Sequence, residues 1–360
     1  VLAAYAAAGS GLWGKERVVE ALMVAQRESG DVAPRAIVFS PCSLADRLRA
    51  LGFQVDVLEE RDRRVPLRSL PALLRLLRGG PRAVIHSHGY KANVVTRAAR
   101  LCGARMLGHV ATCHAWFDES PATRFYNRLD RSTAFLSDVV TVADADMAAA
   151  FPDPSRVRYV ANGLPDREPP DDAARREARE ALGFPADRFA IGYLARTNAV
   201  KGVLDVLAAA EHTASEPLFW VVAGTGDLDA RAAAAQGENL RFLGFVEQTE
   251  RYRSALDAFV QASYVEGLSL SLLEAMRAGL PILATRAGST ERAVRDGVEA
   301  RLFDAGDVAA LAAAARALAR DPGAARALGA AARARFVAEF GIERQHRAFL
   351  DAYRAARGRS

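Results

Sequence analysis

Two glutamates with seven residues between them, Glu266 and Glu274, sit in one apolar-patterned stretch, VEGLSLSLLEAMRAGL over 265–280. A helix starting near Leu268 leaves Glu266 in the loop ahead of it and puts Glu274 about 9 Å along the axis, at ~1.5 Å per residue. The unpaired N–H groups of Gly267, Leu268 and Ser269 would lie at that N-terminus, where the macrodipole favours a phosphate. The carboxylates on either side could accept hydrogen bonds from sugar hydroxyls. An ordinary capped helix with two solvated glutamates is the alternative.

A second segment, GYLARTNAVKG (192–202), sends a strand out at Leu194 into a loop that carries Arg196 and Lys201. Two cations at a strand's carboxyl edge could clamp a diphosphate, Arg as a planar fork and Lys as a point charge; the alternative is two solvated loop cations. Glycine-rich turns follow two further strands. Gly9, Gly11 and Gly14 read G-x-G-x-x-G, without an acidic residue at a clear ribose position, and Gly224 and Gly226 lie in AGTGDLD. Both allow close backbone approach to a ligand or form plain tight turns.

His86, His88, His109 and His114 cluster in the first half. His86 and His88 share a strand face, a pattern that could begin a metal site, but the later ligands such a site needs are missing. No metal is expected. Cys113 and His114 are neighbours on a strand with side chains on opposite faces, so they form no thiol–imidazole dyad.

Short apolar runs must position these residues. Arg35–Ser40, Gln54–Leu58, Ala83–His86, Met106–Thr112 and Val139–Val142 read as strands, with helices Arg17–Arg27, Leu67–Leu77 and Asn93–Leu101 between them. After the Pro- and Asp-rich NGLPDREPPDD a second alternation begins: Phe189–Leu194, Leu218–Ala223, Leu240–Leu243, Ala258–Val260 and Pro281–Ala284. Strands alternating with helices predict parallel sheets, so the fold class is α/β with two doubly wound domains. The domains expected are 1–168 and 169–340, with 341–360 as a closing helix. Ligands would bind beyond the carboxyl ends of the strands.

Jointly these segments resemble the retaining, nucleotide-sugar-dependent glycosyltransferases of family 4. The resemblance runs in order through GLWGKERVV, AVIHSHGYKANVVTRAARL, ATCHAW, VRYVANGLP, GYLARTNAVKG, LRFLGFVEQTE and EGLSLSLLEAMRAGLPILAT. It implies the GT-B fold, two Rossmann-like domains facing a central cleft, the last helix crossing back to brace the first. Glu266 would contact the donor sugar's hydroxyls, Glu274 the ribose, and Arg196 and Lys201 the diphosphate. His114 would bind the donor sugar, Gly11 and Gly14 would approach the phosphates, and Phe245 and Val246 would hold the base. The substrates implied are a UDP- or GDP-linked sugar and a hydroxyl acceptor, a glycan or glycolipid of surface polysaccharide synthesis, with no cofactor. Ala195, Val200, Trp13, Ala115 and Ala262 depart from the family's usual residues, and none of these changes removes a charged catalytic group.

The chain has 360 residues, is 51% hydrophobic and 25% charged, and carries a net charge of +5, which excludes disorder and collagen-like structure. All but three of its 48 basic residues are arginine, and the whole excess lies in residues 1–168, with 23 basic against 18 acidic side chains. That charge suits an anionic ligand and is too mild for a nucleic-acid protein. No apolar run is long enough for a membrane span, and three cysteines without paired spacing suit a reducing cytoplasm. The basic, leucine-striped 61–82 segment would suit an anionic membrane surface, but a core-facing helix with a basic outer side is the favoured reading. Rival readings are an NAD-dependent dehydrogenase, a nucleotide-sugar epimerase, and a non-catalytic sugar-binding protein.

Overall fold

The computed structural model describes residues 2–5, 14–58, 66–114 and 121–358. The chain divides into two compact units, residues 1–165 with 342–360, and residues 166–341. The first begins β1 (Leu2–Tyr5), α1 (Gly14–Ser29), β2 (Arg35–Val38), α2 (Ser43–Ala50), β3 (Val55–Val57) and α3 (Leu70–Gly79). It continues β4 (Val84–His88), α4 (Tyr90–Leu101), β5 (Gly108–Cys113), α5 (Pro121–Ser132), β6 (Val139–Val142) and β7 (Val157–Tyr159). Its strands pair in parallel in the order β3-β2-β1-β4-β5-β6-β7.

The second unit runs α6 (Asp172–Leu182), β8 (Phe189–Leu194), α7 (Val203–His212), β9 (Leu218–Ala223), α8 (Asp229–Ala234), β10 (Leu240–Gly244) and α9 (Thr249–Ser254). Then come β11 (Ala258–Gln261), α10 (Leu270–Arg277), β12 (Ile282–Thr285), α11 (Thr290–Ala293), β13 (Ala300–Phe303), α12 (Val308–Arg320) and α13 (Pro322–Glu339). Its order is β10-β9-β8-β11-β12-β13, again all parallel. Counted within the unit this is 3-2-1-4-5-6, the doubly wound order of a Rossmann fold. Strands such as β9 (LFWVVA) are buried at every position because helices cover both sides, which is why they read as unbroken apolar runs.

The final helix, α14 (Ile342–Arg357), packs in the first unit. Phe349, Ala352, Tyr353 and Ala356 join Val84, Val110 and Val139 in one buried cluster. Gly108 admits it: a Cβ there would lie 2.8 Å from the carbonyl carbon of Ala356. Gln26 donates to the Tyr353 hydroxyl at 2.8 Å, tying α1 to the same helix.

Five helices, α2, α5, α6, α9 and α11, differ from the sequence reading: α5 and α6 lack an apolar stripe, and the other three are too short for one to register. The inner side of α5 is Asn127 and Asp130. In α6 only Ala178 is buried, and Arg175 and Arg179 anchor the helix to Asp257. The eight-residue α2 buries Leu44, Ala45 and Leu48, too few turns for a period to register. The four-residue β13 was likewise not anticipated. In α3 the leucine stripe faces inward: Leu73 and Leu77 are buried and Leu70, Leu74 and Leu76 pack against the same core, while Arg75 and Arg78 point out. Over α3 that is the core-facing form of the 61–82 segment, whose residues 61–65 lie outside the described residues. No helix among the described residues is long and apolar enough to cross a membrane.

Candidate active site

In a doubly wound sheet the loops diverge where the strand order reverses, and that opening beyond the carboxyl ends receives ligands. In the second unit the reversal falls between β8 and β11. The loop after β8 carries Arg196 and Lys201, and the loop after β11 carries Ser263 and Glu266. Lys201 Nζ donates to Glu266 Oε1 at 2.8 Å, and Ser263 Oγ reaches the same oxygen at 2.9 Å. Both charged side chains are about nine-tenths buried. The diphosphate cation and the sugar carboxylate of the sequence reading therefore form one ion pair. Arg196 is half-buried in the same loop, and its carbonyl accepts from the Tyr193 hydroxyl at 2.9 Å.

Close backbone packing holds these loops. Gly202 has φ +68°, and a Cβ there would fall 1.8 Å from the carbonyl oxygen of Ala262. Gly288, at φ +54°, stands against Glu266 in the same way, 1.8 Å from its carbonyl oxygen. Such positions admit glycine alone. Gly224 and Gly226 belong to the same pattern: a Cβ on either would strike the carbonyl oxygen of Ala195 or Thr197. These glycines let neighbouring loops of the protein touch, a third explanation beside ligand approach and tight turning. Asp229 completes the seat, accepting from Gly226 N at 2.9 Å and from the Thr197 hydroxyl.

The helix α10 starts at Leu270, two residues later than expected, because Ser269 is its N-cap and accepts from Leu272 N at 3.3 Å. Gly267 and Leu268 accordingly lie in the loop. Glu274 is buried on α10, with Oε2 2.8 Å from Nη1 of Arg253, itself buried on α9. The sequence reading missed both Arg253 and Ser263, since nothing in their local spacing links them to the glutamates they touch. Phe245 is exposed and Val246 half-buried just beyond β10.

In the first unit the order reverses between β1 and β4. Gly11 and Trp13 lie outside the described residues; Gly14 opens α1. His88 ends β4, and its Nδ1 stands 3.3 Å from Nε2 of His114, at the end of β5. Burial pulls the His88 pKa down to about 3, so that ring stays neutral. His86 is committed on both nitrogens, to the Tyr353 hydroxyl at 2.8 Å and to Thr112 Oγ1 at 2.7 Å. It is a core residue. Among the described residues no group of three His, Cys, Asp or Glu side chains is placed to hold a metal ion. Cys113 lies next to Asp130 at 3.2 Å, and burial raises its thiol pKa well above the ordinary value.

Two parallel doubly wound units are the architecture of the GT-B fold. The structure of Anabaena Alr3699/HepE in complex with UDP is similar, with a TM-score of 0.84 at 18% identity over 98% of each chain. The chain belongs to the group 1 glycosyl transferases. The family model of that description matches residues 174–335, and the glycosyl transferase 4-like domain matches residues 14–163. An α-maltose-1-phosphate synthase of Mycolicibacterium smegmatis is 28% identical over 75% of this chain and 78% of its own length. A D-inositol 3-phosphate glycosyltransferase of Geodermatophilus obscurus is 32% identical over 76% of this chain and 66% of its own.

Proposed function

We propose that this glycosyltransferase moves a sugar from a nucleoside-diphosphate donor to a hydroxyl acceptor with retention of configuration. The observation that carries the reading is the Lys201–Glu266 pair, formed where the loops after β8 and β11 diverge. Departure of a nucleoside diphosphate develops negative charge, and fixed cations are the largest stabilisation a site can offer it. Arg196 and Lys201 supply that charge, so the reading calls for no metal or other cofactor.

Both contacts to Glu266 fall on Oε1, which leaves Oε2 to accept from the donor sugar. Glu274 would meet the ribose with the carboxylate that Arg253 orients, and the Gly267–Ser269 backbone would approach the phosphates. Phe245 and Val246 take the base. His114 and the Gly11–Gly14 turn have donor-side roles on the first unit. The acceptor hydroxyl attacks the anomeric carbon as the carbon–oxygen bond to the diphosphate breaks, and its proton passes to the departing phosphate oxygen. Two structures of one similar protein bear on the donor: HepE in complex with UDP and HepE in complex with UDP-glucose. The acceptor we assign to surface polysaccharide synthesis, a glycan or glycolipid.

A thermal-shift panel with UDP, GDP, ADP and NAD tests this. A ligand at about 100 times its Kd stabilises by about 2.7 kcal/mol. A shift with one nucleoside diphosphate, lost in Lys201→Ala and Glu274→Ala, supports the reading and names the base. A shift with NAD alone overturns it.

A further inference from the structure

Alternation along β4 puts His86 and His88 on one side of the first sheet and Ser87 on the other. The parallel register sets His86 beside Val110 and His88 beside Thr112. Each histidine reaches the next side chain along the same side of the neighbouring strand. His86 Nε2 meets Thr112 Oγ1 at 2.7 Å, and His88 Nδ1 meets Nε2 of His114 at 3.3 Å. The inner end of this ladder is locked: His86 Nδ1 stands 2.8 Å from the Tyr353 hydroxyl, and the His86 and His88 ring centroids are 4.0 Å apart. His88 is 2% exposed and ends the buried part of the row. His114, one residue beyond β5, is half-buried at the sheet's carboxyl edge.

The planes of His88 and His114 are 19° apart, and their centroids, at 5.5 Å, are much farther apart than the facing nitrogens. The rings therefore meet edge to edge, which aims the lone pair of one nitrogen at the other, as a hydrogen bond requires. Burial keeps His88 neutral, so it carries one proton. Its Nε2 reaches no hydrogen-bond partner among the described residues. A proton there would be an orphaned N–H in the interior, which folded proteins rarely leave; a bare acceptor is tolerated more often. Nδ1 is the favoured seat. A neutral imidazole that accepts at Nε2 keeps its own proton on Nδ1, so the bond made by one ring settles which atom of the other donates. We infer that His88 is a positioning residue: its Nδ1–H, donated to Nε2 of His114, makes His114 a hydrogen-bond donor through Nδ1 to an oxygen of the nucleotide sugar. This rests on the donor-side role proposed for His114, and adds which of its nitrogens acts and what holds it.

Heteronuclear NMR of the full chain with isotope-labelled histidine tests the proposal, because protonated and bare ring nitrogens resonate far apart. In the parent, His114 should carry its proton on Nδ1. His88→Asn keeps a donor, since the amide Nδ2 stands where the ring Nδ1 stood, and should preserve that tautomer. His88→Leu removes the donor and should release His114 into a mixture of tautomers. Turnover is read as release of the diphosphate from UDP-glucose or GDP-glucose, whichever the parent uses. His88→Leu should lower kcat by about ten-fold, and His88→Asn should keep most of it. A His114 ring protonated on Nε2 in the parent, or a tautomer unmoved in His88→Leu, overturns the assignment of His88. A moved tautomer with unchanged kcat overturns it too when His114→Ala has lowered kcat. If His114→Ala itself turns over as the parent does, the donor-side role of His114 is what has failed.

Discussion

The backbone of Gly288, in the loop after β12, lies directly against the carbonyl group of Glu266, with no room for a single carbon atom between them. The carboxylate proposed to meet the donor sugar is thus located from behind by a residue without a side chain. Its free end is fixed from the front by Lys201 and Ser263. Two loops from adjacent strands determine where one functional group stands.

Gly288→Ala should therefore disturb catalysis without unfolding the protein. The added Cβ forces the 265–267 loop outward, and the φ of +54° adds about 1–2 kcal/mol of left-handed strain. We expect kcat/KM for sugar transfer to fall by about ten-fold or more, since displacements near 1 Å cost up to about 10² in rate. Binding of the free nucleoside diphosphate should weaken less, since of the backbone proposed to approach the phosphates only Gly267 lies in the displaced stretch. Steady-state kinetics beside calorimetric titration of the nucleotide separates the two, and a variant that binds and turns over normally would refute the contact's role.

Arg196→Ala and Lys201→Ala should each lower kcat by about 10²–10³, the usual cost of one charge-stabilising donor. Lys201→Ala has a second effect, because it strips the partner from Glu266. The double variant Lys201→Ala, Glu266→Gln should then lose less than the product of the two single losses. A double-mutant cycle on kcat measures that coupling; strict additivity would mean that the two side chains act independently.

Breaking the Arg97–Asp130 pair should cost far more stability than any surface bridge. Both side chains are almost wholly buried, and Arg97→Met leaves a carboxylate without its counter-charge, a loss of about 3–5 kcal/mol. Adding Asp130→Leu should recover part of it, since an apolar pair removes the stranded charge. Urea unfolding monitored by tryptophan fluorescence reads both, and equal stabilities for the single and double variants would contradict the account.

Acid should destabilise the first unit in a defined window. Burial lowers the pKa of His88 to about 3 and holds those of His86 and His109 well below the ordinary value. Each ring is neutral when folded and takes up a proton when unfolded below pH 6.5. The unfolded chain then binds more protons, and stability falls with pH by about 1.4 kcal/mol per unit for each histidine. The loss begins near pH 6.5 and for His88 continues to about 3. His88→Gln should flatten the slope of unfolding free energy between pH 6.5 and 5, measured by chemical denaturation at each pH.

The legible parts of the molecule were those whose signal is local. Runs such as FAIGYL and LFWVVA coincide with β8 and β9 because burial on both faces demands apolar residues at every position. Arg196, Lys201 and Glu266 stood out as charged side chains just beyond the carboxyl ends of apolar runs, and Glu274 by its spacing from Glu266. What escaped depends on contacts distant in sequence. Ser263 and Arg253 acquire their significance only through Glu266 and Glu274. The helix α5 has no apolar period because its inner side is satisfied by Arg97 and Asn93 on another helix. The glycines of the 224–226 turn showed that backbone must approach closely there, without showing what approaches.

The return of α14 to the first unit reverses the order in which the molecule can be completed on the ribosome. Domains made first usually fold first during synthesis. Here the cluster around Val84, Val110 and Val139 stays open until Phe349, Ala352 and Tyr353 have been made. The second unit, continuous from 166 to 341, can close while the first waits. A nascent chain stalled before residue 342 would present an apolar face of the first sheet to the cell, and chaperones would meet that face before the enzyme could work.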